Sequence, residues 1–301
     1  MHILDGKKIA AVIKEEIRQE VDSIKLQKKR VPHLAAILVG NNTASKTYIN
    51  NKIKSCKEVG FKSTLFHLPQ DITENELIAQ INNLNNDNSV DGFIVQLPLP
   101  KHIDEEHVLL NIAPEKDVDG FHPINLGKMM IGLPAFISAT PKGIVEILKR
   151  YNIETKGKHC VVVGRSNIVG TPISILLGKK TETGNATVTL CHSHTKNLKA
   201  FTLQADIIIA ATGKPNLITE DMVKNDVVII DVGINRIDDD SERGYHLEGD
   251  VDFKNVSKKC SYITPVPGGV GLMTVASLLQ NTLAAYQSLY YPKSFIDENL
   301  L

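Results

Sequence analysis

Apolar residues recur along the chain in two rhythms. Ile9, Val12, Ile13, Ile17 and Val21 fall at helical spacing with charges between them, predicting a helix within about 5 to 30. His33 to Gly40 is a short, nearly solid apolar run, predicting a buried strand. Asn41, Asn42 and Thr43 then supply cap chemistry for a helix over 43–59. Residues 61–68 alternate like a strand, and Leu77, Ile78, Ile81 and Leu84 predict a helix over 73–86. Residues 91–100 form an apolar strand that stops at Pro98 and Pro100. From 113 to 140 the periodicity is weak and Pro, Gly and Asp are frequent, which predicts irregular structure joining two lobes. Thr140 as a cap and Pro141 at the first helical position suit a helix running to about Tyr151.

The alternation continues in the second half. Strands are predicted at 158–164, 186–191, 205–213 and 227–233, with a helix over 170–179 after the first. The charged stretch 235–249 reads as an exposed loop, and 264–271 as a proline-glycine loop. A last helix, about 273–290, places Val275, Leu278, Leu279, Thr282, Leu283 and Tyr286 on one face. Strands alternating with helices of this length make βαβ units, so the expected fold class is α/β with mostly parallel sheets. Parallel sheets are covered on both faces, which accounts for strands as uniformly apolar as Ala35–Val39.

Size and charge narrow the picture. The chain has 301 residues, more than one hydrophobic core usually serves, so two lobes are expected. Lys and Arg number 34 and so do Asp and Glu, leaving no excess positive charge for a nucleic acid or an anionic membrane. No run reaches the ~20 apolar residues that span a bilayer. Asp5, Lys7, Lys8 and Glu15 interrupt the start, against a signal peptide. Cys56, Cys160, Cys191 and Cys260 are scattered, so a reducing, cytoplasmic setting is the expectation.

Candidate chemistry falls in both halves. Residues 161–170, VVVGRSNIVG, form a strand, a tight turn and a helix start, an arrangement that aims backbone N–H groups at a phosphate. The spacing departs from GxGxxG, and a turn without a ligand also accounts for it. After the next strand stand His192, Ser193, His194, Thr195 and Lys196, with no carboxylate to hold a ribose 2′-hydroxyl. With Arg165 in the turn, this favours NADP over NAD. His192 and His194 lack a third ligand, so no metal site is expected.

In the first half, Ser45, Tyr48 and Lys52 share one face of the 43–59 helix. Gln96 closes a parallel strand at the edge where open α/β sheets take ligands. Lys116 to His122 brings two carboxylates, Asp117 and Asp119; alone it is also explained as a solvated acidic turn. A Tyr-x-x-x-Lys pair occurs in short-chain dehydrogenases too, but there it follows the nicotinamide turn, and here it precedes that turn by more than a hundred residues.

These motifs in this order resemble the bifunctional methylenetetrahydrofolate dehydrogenase/cyclohydrolase family. They are SKTYINNK (45–52), VQLPLP (95–100), KDVDGFHPIN (116–125), VGRSNIVG (163–170), DVGINR (231–236), GDV (249–251) and PVPGGVG (265–271). The chain departs from the family pattern at Ser138 and Ala139, where Pro-Cys is usual, and at Leu272, where Pro is usual. The resemblance implies an N-terminal αβα catalytic lobe, residues 1–120, to which a C-terminal helix at about 273–301 returns. A Rossmann-like NADP-binding lobe would occupy 140–272.

The resemblance also implies roles. NADP+ would oxidise 5,10-methylenetetrahydrofolate to the methenyl cation, and water would then convert this to 10-formyltetrahydrofolate. Lys52 would be the general acid/base, favoured as a neutral amine by desolvation and a cationic substrate. Gln96 would aim Lys52 without adding charge, and Tyr48 would stack on the folate and help position Lys52. Asp119 would accept hydrogen bonds from the pterin edge. Pro265, Gly268 and Gly269 would border the folate, while Gly164, Arg165, Ser166, Ser193 and Ile234 would hold NADP. A homodimer built through the cofactor lobes is implied as well. Two alternatives remain at this stage: another two-lobed NADP-dependent dehydrogenase of shikimate or amino-acid type, and a nucleotide-binding regulatory module without catalysis.

Overall fold

Strands and helices alternate through nearly the whole chain. The computed structural model describes residues 1–241 and 244–292. The first elements are β1 (His2–Ile3), α1 (Gly6–Leu26), β2 (His33–Val39), α2 (Thr43–Val59), β3 (Lys62–Leu68), α3 (Glu74–Asn86), β4 (Gly92–Val95), α4 (Glu105–Leu110), α5 (Pro123–Ile131) and α6 (Ala139–Arg150). There follow β5 (His159–Val163), α7 (Gly170–Gly178), β6 (Thr187–Cys191), α8 (Leu198–Thr202), β7 (Ile207–Ala210) and β8 (Val227–Asp231). The chain then forms β9 (Asn235–Asp238), β10 (Tyr245–Glu248), α9 (Phe253–Val256), β11 (Cys260–Ile263) and α10 (Val270–Tyr286).

The chain divides into two compact units. One comprises Val12–Ala139 with the segment from Val275 onward; the other comprises Met1–Ala11 with Thr140–Thr274. In the first unit β2 lies between β3 and β4, all parallel. Every residue of β2 is buried, as its apolar run predicts. Phe93, Leu77, Ile81, Leu84 and Val108 fill the core on one side of this sheet. Local chemistry sets the helix ends. Asn42 Oδ1 accepts from Ser45 N at 3.0 Å and Gly60 closes α2 in the left-handed region, so the helix keeps the predicted bounds. Thr73 and Glu76 form a reciprocal capping box at α3.

In the second unit the order is β1-β11-β8-β7-β5-β6, every neighbouring pair parallel. Strands β7 and β8 are wholly buried. Val161, Ile208, Ile229, Ala205 and Ile263 belong to its core.

Several expectations change. The stretch 113–140 is not wholly irregular: it holds α5, whose N-cap is His122, with Pro123 in the first turn and Gly132 closing it. The stretch 235–249 is an antiparallel hairpin of β9 and β10 and not a plain loop; its residues 242–243 lie outside the described residues. Thr140 is not a cap. It lies inside α6, and its Oγ1 meets Thr274 Oγ1 at 3.1 Å. The sheet extends past the four predicted strands by β11 and β1, and the segment Met1–Ala11, which carries β1, groups with Thr140–Thr274. Helix α10 returns the chain to the first unit from Val275, and residues 293–301 of that expected segment lie outside the described residues.

Candidate active site

In the first unit, α2 and the end of β4 bring Lys52 and Gln96 together. Gln96 follows Val95, and its N–H donates to Ile37 O at 2.9 Å, which extends the ladder by one residue and fixes its backbone. Its side chain is held at both ends. Nε2 donates to Leu97 O at 2.7 Å, which turns Oε1 toward Lys52, whose Nζ donates to it at 3.2 Å. Both side chains are half-buried. Tyr48 sits one turn earlier on α2 and is 46% exposed. Its hydroxyl has no hydrogen-bond partner among the described residues, so the bond that holds Lys52 comes from Gln96.

Asp119 completes this group. Desolvation by its surroundings raises its carboxyl above the ordinary carboxylate range, and Asp117 adds to that, while the Lys52 charge opposes it. The segment before Asp119 is built as an extra edge of the sheet: Phe93 N donates to Lys116 O at 3.0 Å, and Phe93 pairs with Asp117 in a parallel bridge. Asp117 is the brace and not a ligand group. Only 2% exposed, it accepts from Gly120 N (3.1 Å), His122 N (2.8 Å) and Asn125 Nδ2 (3.0 Å). Burial pushes its carboxyl up as well. Asn281 on α10 donates to Val118 O at 2.8 Å and Ile137 O at 3.0 Å, and Ser138 Oγ donates to Gly120 O at 2.8 Å. Ser138 thus ties the Asp119 segment directly. The motif KDVDGFHPIN holds two carboxylates; which of them braces the segment and which senses Lys52 is decided by the fold.

In the second unit the candidate cofactor residues gather at the carboxyl edges of neighbouring strands. Gly164 follows β5 with φ +121°, and a Cβ there would collide with Ala211 O; one on Gly170 would collide with Gly164 O. The turn therefore closes backbone on backbone. Ser166 Oγ accepts from Val169 N at 3.1 Å and Gly170 N at 3.4 Å, holding the start of α7. Arg165 is exposed, and its guanidinium has no ion-pair partner among the described residues. Ser193 is exposed in the turn after β6, where Thr195 Oγ1 accepts from His192 N at 2.8 Å. Val163 and Cys191 are register partners, so both turns leave the same edge of the sheet. Ile234, after β8, is 44% exposed. A free guanidinium, exposed hydroxyls and no carboxylate after β6 fit a dinucleotide that carries a 2′-phosphate.

Pro265, Gly268 and Gly269 lie in the loop between β11 and α10, in this same unit. Lys7 N donates to Gly268 O at 3.1 Å, seating the loop on the start of α1. Leu272, just beyond, is 42% exposed.

Comparison with known proteins now bears on this geometry. Residues 4–119 match the family model of the tetrahydrofolate dehydrogenase/cyclohydrolase catalytic domain, and residues 138–290 match that of its NAD(P)-binding domain. The chain belongs to the tetrahydrofolate dehydrogenase/cyclohydrolase family. A relative described as bifunctional protein FolD, from Flavobacterium johnsoniae, is 60% identical over 95% of this chain and 97% of its own. One from Porphyromonas gingivalis is 57% identical over 96% and 98%. Among solved structures, the bifunctional FolD dehydrogenase/cyclohydrolase of Campylobacter jejuni superposes with a TM-score of 0.90 at 50% identity, covering 96% of this chain and 99% of that one. The Trypanosoma brucei methylenetetrahydrofolate dehydrogenase-cyclohydrolase, solved with NADP cofactor and an inhibitor, gives 0.90 at 36% identity over 95% and 97%. Family membership sets aside the shikimate-type alternative.

Proposed function

We propose that this chain oxidises 5,10-methylenetetrahydrofolate with NADP+ and hydrolyses the resulting methenyl cation to 10-formyltetrahydrofolate, with Lys52 as the group that moves the proton. The observation that carries the assignment is the Lys52–Gln96 hydrogen bond, with Asp119 close enough to sense the Lys52 charge. NADP+, when held by the second unit, would supply the hydride acceptor for the methylene carbon.

The residues of the chain do the rest. Gln96 restrains the Lys52 amine through a neutral acceptor, so the amine can yield its proton and take another. A carboxylate in its place would hold the ammonium. Lys52 Nζ removes a proton as water adds to the methenyl carbon, and a proton goes to the nitrogen that leaves when the ring opens. Asp119 and the exposed ring of Tyr48 bind the folate, Asp119 through the paired donors of the pterin edge. Gly164, Arg165, Ser166, Ser193 and Ile234 hold NADP, with Arg165 on its 2′-phosphate.

A homodimer in a reducing cytoplasm accompanies this reading. Its supports are four buried, unpaired thiols and the position of β6 at one edge of the six-stranded sheet, a surface that invites pairing. Among the described residues no helix is long and apolar enough to cross a membrane.

An absorbance assay with methylenetetrahydrofolate and each nicotinamide in turn tests the activity. Reduced NADP and the methenyl species, followed separately, should both appear with the purified chain and NADP+. Absence of both at high enzyme concentration overturns the assignment.

A further inference from the structure

The DVG and GDV motifs contribute two buried carboxylates that catalysis as described does not use. Asp250 is 0% exposed and has no cationic partner among the described residues. Its carboxyl oxygens are met by hydrogen bonds alone. Oδ2 accepts from Thr212 N (2.5 Å), Gly213 N (3.0 Å) and Thr212 Oγ1 (3.0 Å), and Oδ1 accepts from Asn235 Nδ2 (3.0 Å). Asp231 holds the backbone from which Asp250 projects: it accepts from Asp250 N and Val251 N at 3.0 Å each and from Gly233 N at 2.9 Å. The fit excludes side chains. A Cβ on Gly233 would collide with Asp250 Oδ1, and one on Gly249 with Asp231 Oδ2.

What the clamp holds gives it a function. Thr212 and Gly213 follow β7, in the loop whose Ala211 carbonyl packs on Gly164 of the cofactor turn. Asn235, the first residue of β9, directly follows Ile234 in the short segment after β8. Both loops leave the carboxyl edge of the sheet, where open parallel sheets take dinucleotides. Three donors converging on one buried oxygen fix a loop more tightly than a neutral acceptor does.

We propose that Asp250 is a positioning residue for NADP: its buried carboxylate locks the 212–213 loop to the segment bearing Ile234 and so sets cofactor affinity. The proposal rests on the reading that this edge of the sheet takes NADP, and the test separates the two.

Full-length Asp250→Ala, Asp250→Asn, Thr212→Val and Arg165→Ala are assayed for the dehydrogenase KM of NADP and of methylenetetrahydrofolate, and for cyclohydrolase turnover without nucleotide. Asp250→Ala should raise the KM for NADP about tenfold or more, since small misplacements of binding groups are costly. The KM for folate and the nucleotide-free cyclohydrolase rate should stay within about twofold. Asp250→Asn, which retains one oxygen for the loop, should restore the KM to within about threefold, and Thr212→Val should raise it by about threefold. The proposal is overturned if Asp250→Ala leaves the NADP KM unchanged, or if cyclohydrolase turnover falls in step with it. Should Asp250→Ala not fold, an unchanged NADP KM in Thr212→Val overturns it. If Arg165→Ala also leaves the NADP KM unchanged, the cofactor reading of this edge has failed; if only Arg165→Ala raises it, the Asp250 clamp alone has failed.

Discussion

Lys52 Nζ donates to Gln96 Oε1 at 3.2 Å, and Gln96 is in turn fixed by its own donation to Leu97 O at 2.7 Å. A rigid, uncharged acceptor is therefore aimed at the one amine on the α2 face that also carries Tyr48. Lys52→Ala removes that amine from a half-buried position on α2. Cyclohydrolase turnover should fall at least about a hundredfold, the usual contribution of a positioned acid/base. Unfolding stability should change by no more than about 0.5 kcal/mol. Turnover of the methenyl substrate at the unmodified rate, above the spontaneous reaction, removes Lys52 from the mechanism.

The partner residue makes a sharper test because its shape can be kept while its charge changes. Gln96→Glu places a carboxylate against Lys52 and sets a second acceptor against Leu97 O in place of the Nε2 donor. An opposite charge at that distance favours the ammonium, typically by 1–3 pKa units. The cyclohydrolase pH–rate profile should move to higher pH, and activity at neutral pH should drop by about tenfold or more. A profile with unchanged inflections, only scaled down, would mean that Gln96 acts on geometry alone.

Arg165 stands exposed in the β5–α7 turn with no ion-pair partner among the described residues. A charge-assisted bond to a phosphate contributes about 1.5–3 kcal/mol. Arg165→Ala should accordingly raise the KM for NADP by about 10- to 100-fold and leave that for NAD within about twofold. Dehydrogenase kinetics with both nucleotides check this; a parallel rise for NAD would place Arg165 on the shared diphosphate instead.

Which parts of the molecule were legible beforehand follows from where their information lies. Strands β2, β5 and β8 are solid apolar runs, and α2 is bounded by an Asn cap and a closing Gly, so local sequence suffices. Helix α5 hides because its cap is a histidine ring nitrogen, Nδ1 of His122, accepting from Ile124 N at 3.1 Å. Only Pro123 and Gly132 mark its ends. The β9–β10 hairpin hides because each strand has four residues with charged outer positions, and β1, with two, is created by its pairing with β11. In the site, Lys52, Gln96 and Asp119 stand in recognisable motifs. Their supports do not: Asn281 braces Val118 from 163 residues away, and no pattern within either segment encodes that bond. The DVG and GDV motifs were visible, but that Asp231 holds the backbone of Asp250 emerges only when β8 and the 249–251 segment meet.

Asp231 also gives a pH dependence of stability with a definite sign. Burial pushes its carboxyl up to about 7, aided by the neighbouring Asp250 and opposed by three backbone N–H donors. In the unfolded chain the group titrates near the ordinary Asp value, ~3.9. Between these two limits the folded chain carries a proton on Asp231 that the unfolded chain has released. Unfolding therefore sheds a proton, and stability falls as pH rises from about 4 to about 7, by up to ~1.4 kcal/mol per pH unit, before levelling off. Asp117 and Asp119, also raised by burial, act in the same direction, while His33, lowered by burial, opposes them. Comparison with Asp231→Asn cancels those contributions. The variant should lose about 1–3 kcal/mol through the missing acceptor, and its urea midpoint should decline less steeply than that of the unmodified chain between pH 4 and 7. Two parallel curves across that window would show that Asp231 is ionised in the folded protein throughout, with its three N–H donors outweighing the desolvation.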